Sequence, residues 1–144
     1  KDMLGDKDFK KALQGYMERW HGKHPIPWDF FYSINDISGK DLNWFWDRWY
    51  FQPNYIDFKI ENVKQEDSSA AIVVENIGGM PAPFDVLLTF TDGTTKNIHQ
   101  KSSIWETTKD QVSITVETEK ALKSVSLEGG IWMDATPENN TWSK

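Results

Sequence analysis

The chain has 144 residues, 16 basic and 22 acidic side chains, no cysteine and a formal charge of −6. That length suits one domain or two small ones. Absent thiols exclude disulfides and thiolate metal sites, and the acidic balance argues against a nucleic-acid partner, which would need a concentrated basic surface.

The first predicted element is a helix. Phe9, Ala12, Leu13, Tyr16, Met17 and Trp20 fall on a single stripe at helical spacing, with Asp6 placed to cap the start. His24-Pro25-Ile26-Pro27 stops it. Pro27 then suits the first position of a second helix carrying Phe30, Phe31, Ile34 and Ile37. Ser38-Gly39-Lys40-Asp41 reads as a junction with Ser38 at the next N-cap. A third helix comes next, with Leu42, Phe45, Trp46 and Trp49 on one face and Pro53 closing it. Trp44, Tyr50 and Phe51 lie off that face, so this helix is expected to be apolar on more than one side.

After Pro53 the apolar period changes from helical to two. Ile56–Ile60, Phe84–Phe90 and Val112–Val116 alternate inward and outward residues, and the spans 70–77, 94–100 and 121–127 read as further strands. Asp92-Gly93 marks a hairpin, Gly78-Gly79 and Gly129-Gly130 mark turns or bulges, and Ile131-Trp132-Met133 is a candidate last strand. About seven short strands separated by turns predict an antiparallel β-sandwich of immunoglobulin-like type, without the Cys–Trp–Cys hallmark of antibody domains. The fold class is therefore α+β: a three-helix segment followed by a sandwich.

Composition breaks at the same point as the period. Residues 1–53 hold thirteen of the twenty aromatic side chains, five of them Trp, with balanced charge, while 54–144 carry the whole negative excess. Both changes put a boundary near Gln52-Pro53-Asn54. Three short helices in so few residues bury too little surface to offset their ordering entropy, so they need a partner surface.

Chemistry is sparse. His21, His24 and His99 are the whole supply of imidazole, and none stands in a zinc-binding spacing such as H-E-x-x-H. No nucleophile elbow or phosphate-binding loop occurs. Asp134, Glu138, Asn139 and Asn140 offer oxygen ligands of the kind calcium takes, against the plainer reading of a polar turn. No catalytic and no metal-binding residue is expected in this chain. No apolar run approaches the ~20 residues of a membrane-crossing helix. Lys1-Asp2 does not begin a signal peptide, and the missing initial Met accords with a processed or excised piece.

One ordered set of motifs is specific. Met3-Leu4-Gly5-Asp6 with Phe9, Leu13 and Tyr16, then Lys23-His24-Pro25-Ile26-Pro27-Trp28-Asp29-Phe30-Phe31, then Ser38-Gly39-Lys40-Asp41-Leu42 with Phe45-Trp46 and Trp49, resembles the end of the catalytic domain in the aminopeptidase N family of gluzincin zinc metallopeptidases. The resemblance implies a helical tail of a thermolysin-like domain over 1–53 and an accessory sandwich over 54–144. It implies a parent that holds zinc through H-E-x-x-H and a later Glu, all upstream of these residues, so that this chain by itself carries no cofactor. The expected partner is the upstream catalytic domain of the same chain, met through Trp20, Trp28, Phe31, Trp44 and Trp49. Self-association through the same aromatic helices is a corollary, and an envelope, periplasmic or secreted location accords with the accessory sandwich. The alternative is a carbohydrate- or protein-binding module with Trp105, Trp132 and Trp142 as a stacking platform; an adhesion or spacer domain would explain the strands but not the helical motifs.

Overall fold

The computed structural model describes residues 1–108, 110–128 and 133–144, which divide into two compact units, Lys1–Gln52 and Pro53–Lys144. The first contains α1 (Asp6–Trp20), α2 (Pro27–Ser38) and α3 (Asn43–Trp46), the last running on into a π-helical turn, Asp47–Phe51. α1 starts one residue earlier than a capping Asp6 requires. Gly5 is its N-cap, no side chain caps it, and Asp6 instead pairs with Lys1 at 3.3 Å. Pro27 takes the first position of α2, where its missing N–H is no loss, and the Asp29 carboxylate accepts from the Ile26 N–H at 2.9 Å. Ser38 is the last residue of α2 rather than a cap for α3. The left-handed turn that ends α2 falls on Gly39, φ 67°, a conformation that glycine adopts without steric strain. Leu42 is the N-cap of α3, and Asp41 just before it accepts from the Asn43 N–H at 3.0 Å.

The core of this unit is Ala12, Phe31, Ile34, Leu42 and Trp46, with Tyr16, Phe30, Ile37 and Phe45 packed around it. Phe31 and Trp46 stack at 4.9 Å, and the Trp46 indole donates to Asn35 Oδ1 at 2.9 Å. Between α1 and α2, the Tyr16 and Phe30 rings meet edge to face at 5.1 Å, Trp20 Nε1 donates to Ser33 Oγ at 3.2 Å, and Arg19 pairs with Asp36 at 2.6 Å.

The second unit is a sandwich of two antiparallel sheets. One has the order β1-β2-β5 (Phe58–Gln65, Ser69–Asn76, Gln111–Glu117), the other β4-β3-β6-β7 (Thr95–Gln100, Phe84–Phe90, Leu122–Glu128, Thr141–Ser143). The two-residue period is realised as burial: Ile72, Val74, Val86, Leu88, Ile114 and Val125 all face inward. A register shift between Ile60 and Asn62 ends strict alternation in β1. β4 pairs with β3, whereas in the constant-type antibody order the fourth strand joins the other sheet. The closing strand is β7; Ile131-Trp132 and Gly129-Gly130 lie outside the described residues, and Met133 is an exposed residue outside any strand.

The sheets are joined through aromatic rings. Trp105, in a 3-10 turn (Ser102–Trp105), is fully buried, stacks on Phe58 at 5.3 Å, meets Phe84 at 5.7 Å, and donates from Nε1 to the Ala82 carbonyl at 3.1 Å. At Gly78 a Cβ would stand 2.1 Å from the Tyr55 carbonyl oxygen. Only glycine lets the 55–57 and 77–80 backbones exchange the bonds Tyr55 N–H to Gly78 O and Ile77 N–H to Asp57 O.

Two surface carboxylates of the sandwich are held below the usual range. Asp85 accepts from Asn97 and, secondarily, from His99; Asp92, in the β3–β4 turn, accepts from the Thr94 hydroxyl, then Lys120, then the Thr94 N–H. Groups depressed in the folded state stabilise it above their unfolded pKa and lose that contribution as pH falls through the folded value. These two should therefore leave thermal stability level from about pH 8 to 5 and lower it below about pH 4. Replacing both by Asn should flatten that acid limb, as melting curves across pH would record.

Candidate functional site

The helical unit presents apolar surface that its own core does not cover. Trp28 and Tyr32 project from α2 as 45% and 60% exposed side chains, and the π-turn adds Tyr50 and Phe51 at 62% and 48%. Trp28 stacks flat on Phe51 at 4.7 Å and lies 6.1 Å from Tyr32, so the rings form one continuous face. A groove of about 250 Å³ opens there, lined by Trp28, Phe31, Tyr32, Trp46 and Phe51, with Asn43 and Asp47 as its polar members. On α1, Leu13 and Met17, the outward half of the apolar stripe, are also exposed.

Of the five aromatic residues expected to meet another domain, the structure brings Trp28 and Phe31 to this groove, their rings edge to face at 5.8 Å. Phe31 is 3% exposed and serves chiefly the unit's own core. Trp20 is half-buried against Ser33, Trp44 is half-buried, and Trp49 is 37% exposed and in ring contact with Phe45 at 5.6 Å. Trp49 leaves the buried face of α3 because the chain widens into a π-turn at Asp47, adding a residue to the turn and rotating the side chains beyond it; Arg48 is buried instead. Tyr32 carries no periodic signal, since it lies between the buried Phe31 and Ser33 on the outer side of α2.

The stacking platform expected for sugars is corrected. Trp105 has no exposed surface and is the central ring of the sandwich core; Trp142 is half-buried on β7, and Trp132 lies outside the described residues. His21 and His24 are exposed, and His99 Nδ1 lies 2.6 Å from Asp85 Oδ1 on the β3–β4 surface. The described residues contain no group of three or more His, Cys, Asp or Glu side chains placed to hold a metal. Their donor set does not fit the zinc implied by the family resemblance, which takes nitrogen, sulfur and carboxylate ligands converging on one point. No described helix is long and apolar enough to cross a membrane.

Over 52 residues the chain is 36% identical to aminopeptidase N of Lactococcus lactis subsp. lactis, a match that takes in 36% of this chain and 6% of that protein. In fold it is similar to Legionella pneumophila aminopeptidase A, whose crystal structure holds aspartic acid: TM-score 0.62 and 17% identity, over 86% of this chain and 14% of that one. The chain thus spans only a small part of the length of either relative. No protein-family profile matches it.

Proposed function

We propose that this chain is the C-terminal part of a zinc-dependent aminopeptidase-like metallopeptidase, with 1–53 as the helical tail of the catalytic domain and 54–144 as its accessory sandwich. The observation that carries the reading is that sequence and fold independently liken this chain to a small portion of larger aminopeptidases. Within it the exposed ring face of Trp28, Tyr32, Tyr50 and Phe51 is the surface that packs on the rest of the catalytic domain, and the sandwich acts as structural support. The parent's reaction is attack of metal-activated water on a peptide bond at a free N-terminus; zinc and its ligands are supplied from outside residues 1–144.

The codons that precede Lys1 test this. They are expected to encode H-E-x-x-H and then a Glu in the same frame; an upstream frame without that signature overturns the proposal. A contiguous exposed aromatic face also favours association when it has no partner. Sedimentation of the isolated 144-residue chain is expected to give weight-average mass rising with concentration, and Trp28→Ser with Tyr50→Ser is expected to restore a monomer. A wild-type monomer at every concentration would remove that face from the proposal.

A further inference from the structure

One junction of the sandwich holds an unusual set of buried oxygens. Among the described residues, the buried side-chain oxygens that accept no hydrogen bond are Asp57 Oδ1, Asn139 Oδ1 and Asn140 Oδ1. All belong to the place where the chain entering β1 meets the turn leading into β7. Asp57 is 5% exposed and Asn140 6%. The Asp57 carboxylate points at the turn, since its other oxygen accepts from Thr136 Oγ1 at 3.3 Å. Asp134 anchors the same turn, accepting from the Phe58 N–H at 2.8 Å and the Thr136 N–H at 2.9 Å. Asn139 closes a 3-10 turn on Thr136, its N–H donating to the Thr136 carbonyl at 3.2 Å. Thr136, on which that turn closes, is the residue whose hydroxyl donates to the Asp57 carboxylate, so Asn139 and Asn140 follow directly on the Asp57 contact.

These oxygens are acceptors with no donor to meet them, and no described Lys or Arg is paired with Asp57. A buried carboxylate in that state is expensive, and a single water has two hydrogens for three acceptors. Oxygens of this kind are the ligands a hard cation takes. Carboxylate and amide oxygens on an irregular turn are the ligands calcium accepts, with its tolerance of coordination number, whereas magnesium demands a near-ideal octahedron and zinc prefers nitrogen and sulfur. We propose that this junction is a calcium site, ligated by the side-chain oxygens of Asp57, Asn139 and Asn140 with Asp134 as second carboxylate. It clamps the turn before β7 to the start of β1, two segments almost eighty residues apart. Glu138 is exposed and takes no part.

With two carboxylates the affinity falls in the weak class of calcium modules, roughly 10⁻⁴–10⁻³ M. Calorimetric titration of the whole 144-residue chain with CaCl2, in chelator-free buffer, is expected to give a saturable isotherm in that range. About 10 mM calcium should raise the melting temperature by several degrees, because the ion binds only the folded form. MgCl2 should bind about ten-fold more weakly. Asp57→Asn should weaken calcium binding at least about ten-fold, and Glu138→Gln should leave it unchanged. Asn139→Asp, which adds ligand charge, should tighten it several-fold, and it decides the matter if Asp57→Asn does not fold. No saturable binding by the wild type up to about 10 mM overturns the proposal, as does binding unaltered by both Asp57→Asn and Asn139→Asp.

Discussion

Trp105→Ala is expected to unfold the sandwich near room temperature. The indole is fully buried between the sheets, in ring contact with Phe58 and Phe84, and its N–H satisfies the Ala82 carbonyl. Truncating a buried Trp to Ala costs about 3–5 kcal/mol, and the orphaned carbonyl adds about 1 kcal/mol. Small domains are stable by only about 5–15 kcal/mol, and a unit of this size sits at the low end. The melting temperature should fall by about 20 °C or more. Trp105→Phe keeps ring contacts and loses the N–H bond, so it should suffer less than half as much. Scanning calorimetry reads both. A drop of under about 5 °C for the alanine variant would mean that the indole is not a central packing element.

Phe31→Ala is the corresponding test of the helical unit. Phe31 stacks on Trp46, meets Trp28, Tyr50 and Phe51, and sits at the centre of the buried cluster the described helices share. Its removal costs about 3–5 kcal/mol from a unit of 52 residues, too short to bury much more than about 60% of its unfolded surface. Most of the helical ellipticity at 222 nm should be lost at 25 °C. Phe31→Leu, which keeps an apolar side chain there, should retain it. Full helical signal in the alanine variant would show that the helices are held by something other than this cluster.

The sandwich is largely legible in the sequence because each strand buries one face, so that inward residues recur every second position from Phe84 to Phe90 and from Val112 to Val116. The helices are legible for the same reason at their own period. The features that escape a periodic reading are local or remote. Ser38 and Asp6 have the chemistry of caps but not the positions, because Gly39 takes the left-handed turn and Gly5 precedes the first helical residue. The π-turn at Asp47–Phe51 hides from a stripe drawn at 3.6 residues, which puts Trp49 on a buried face it does not occupy. Trp105 sits in a 3-10 turn with no period to read, so its sequence context suits a platform as well as a core residue.

The candidate sites divide in the same way. The exposed aromatic face is half visible, in Trp28 and in the off-stripe Tyr50 and Phe51, while Tyr32 gives no signal. The oxygen cluster is visible only as Asp134, Asn139 and Asn140. Its buried carboxylate, Asp57, lies some eighty residues earlier, and only the packing of the turn before β7 on the chain entering β1 brings it to Thr136 in their midst.

The proposed reading makes residues 1–144 the C-terminal part of a zinc peptidase whose metal ligands lie outside them. Zinc content and aminoacyl-anilide hydrolysis, measured side by side on the 144-residue chain and on the full product of its reading frame, test that most directly. Stoichiometric zinc and hydrolysis are expected in the full product and neither in the isolated chain. Zinc retained stoichiometrically by the isolated chain, or hydrolysis by it alone, would contradict that reading, as would a full product without either.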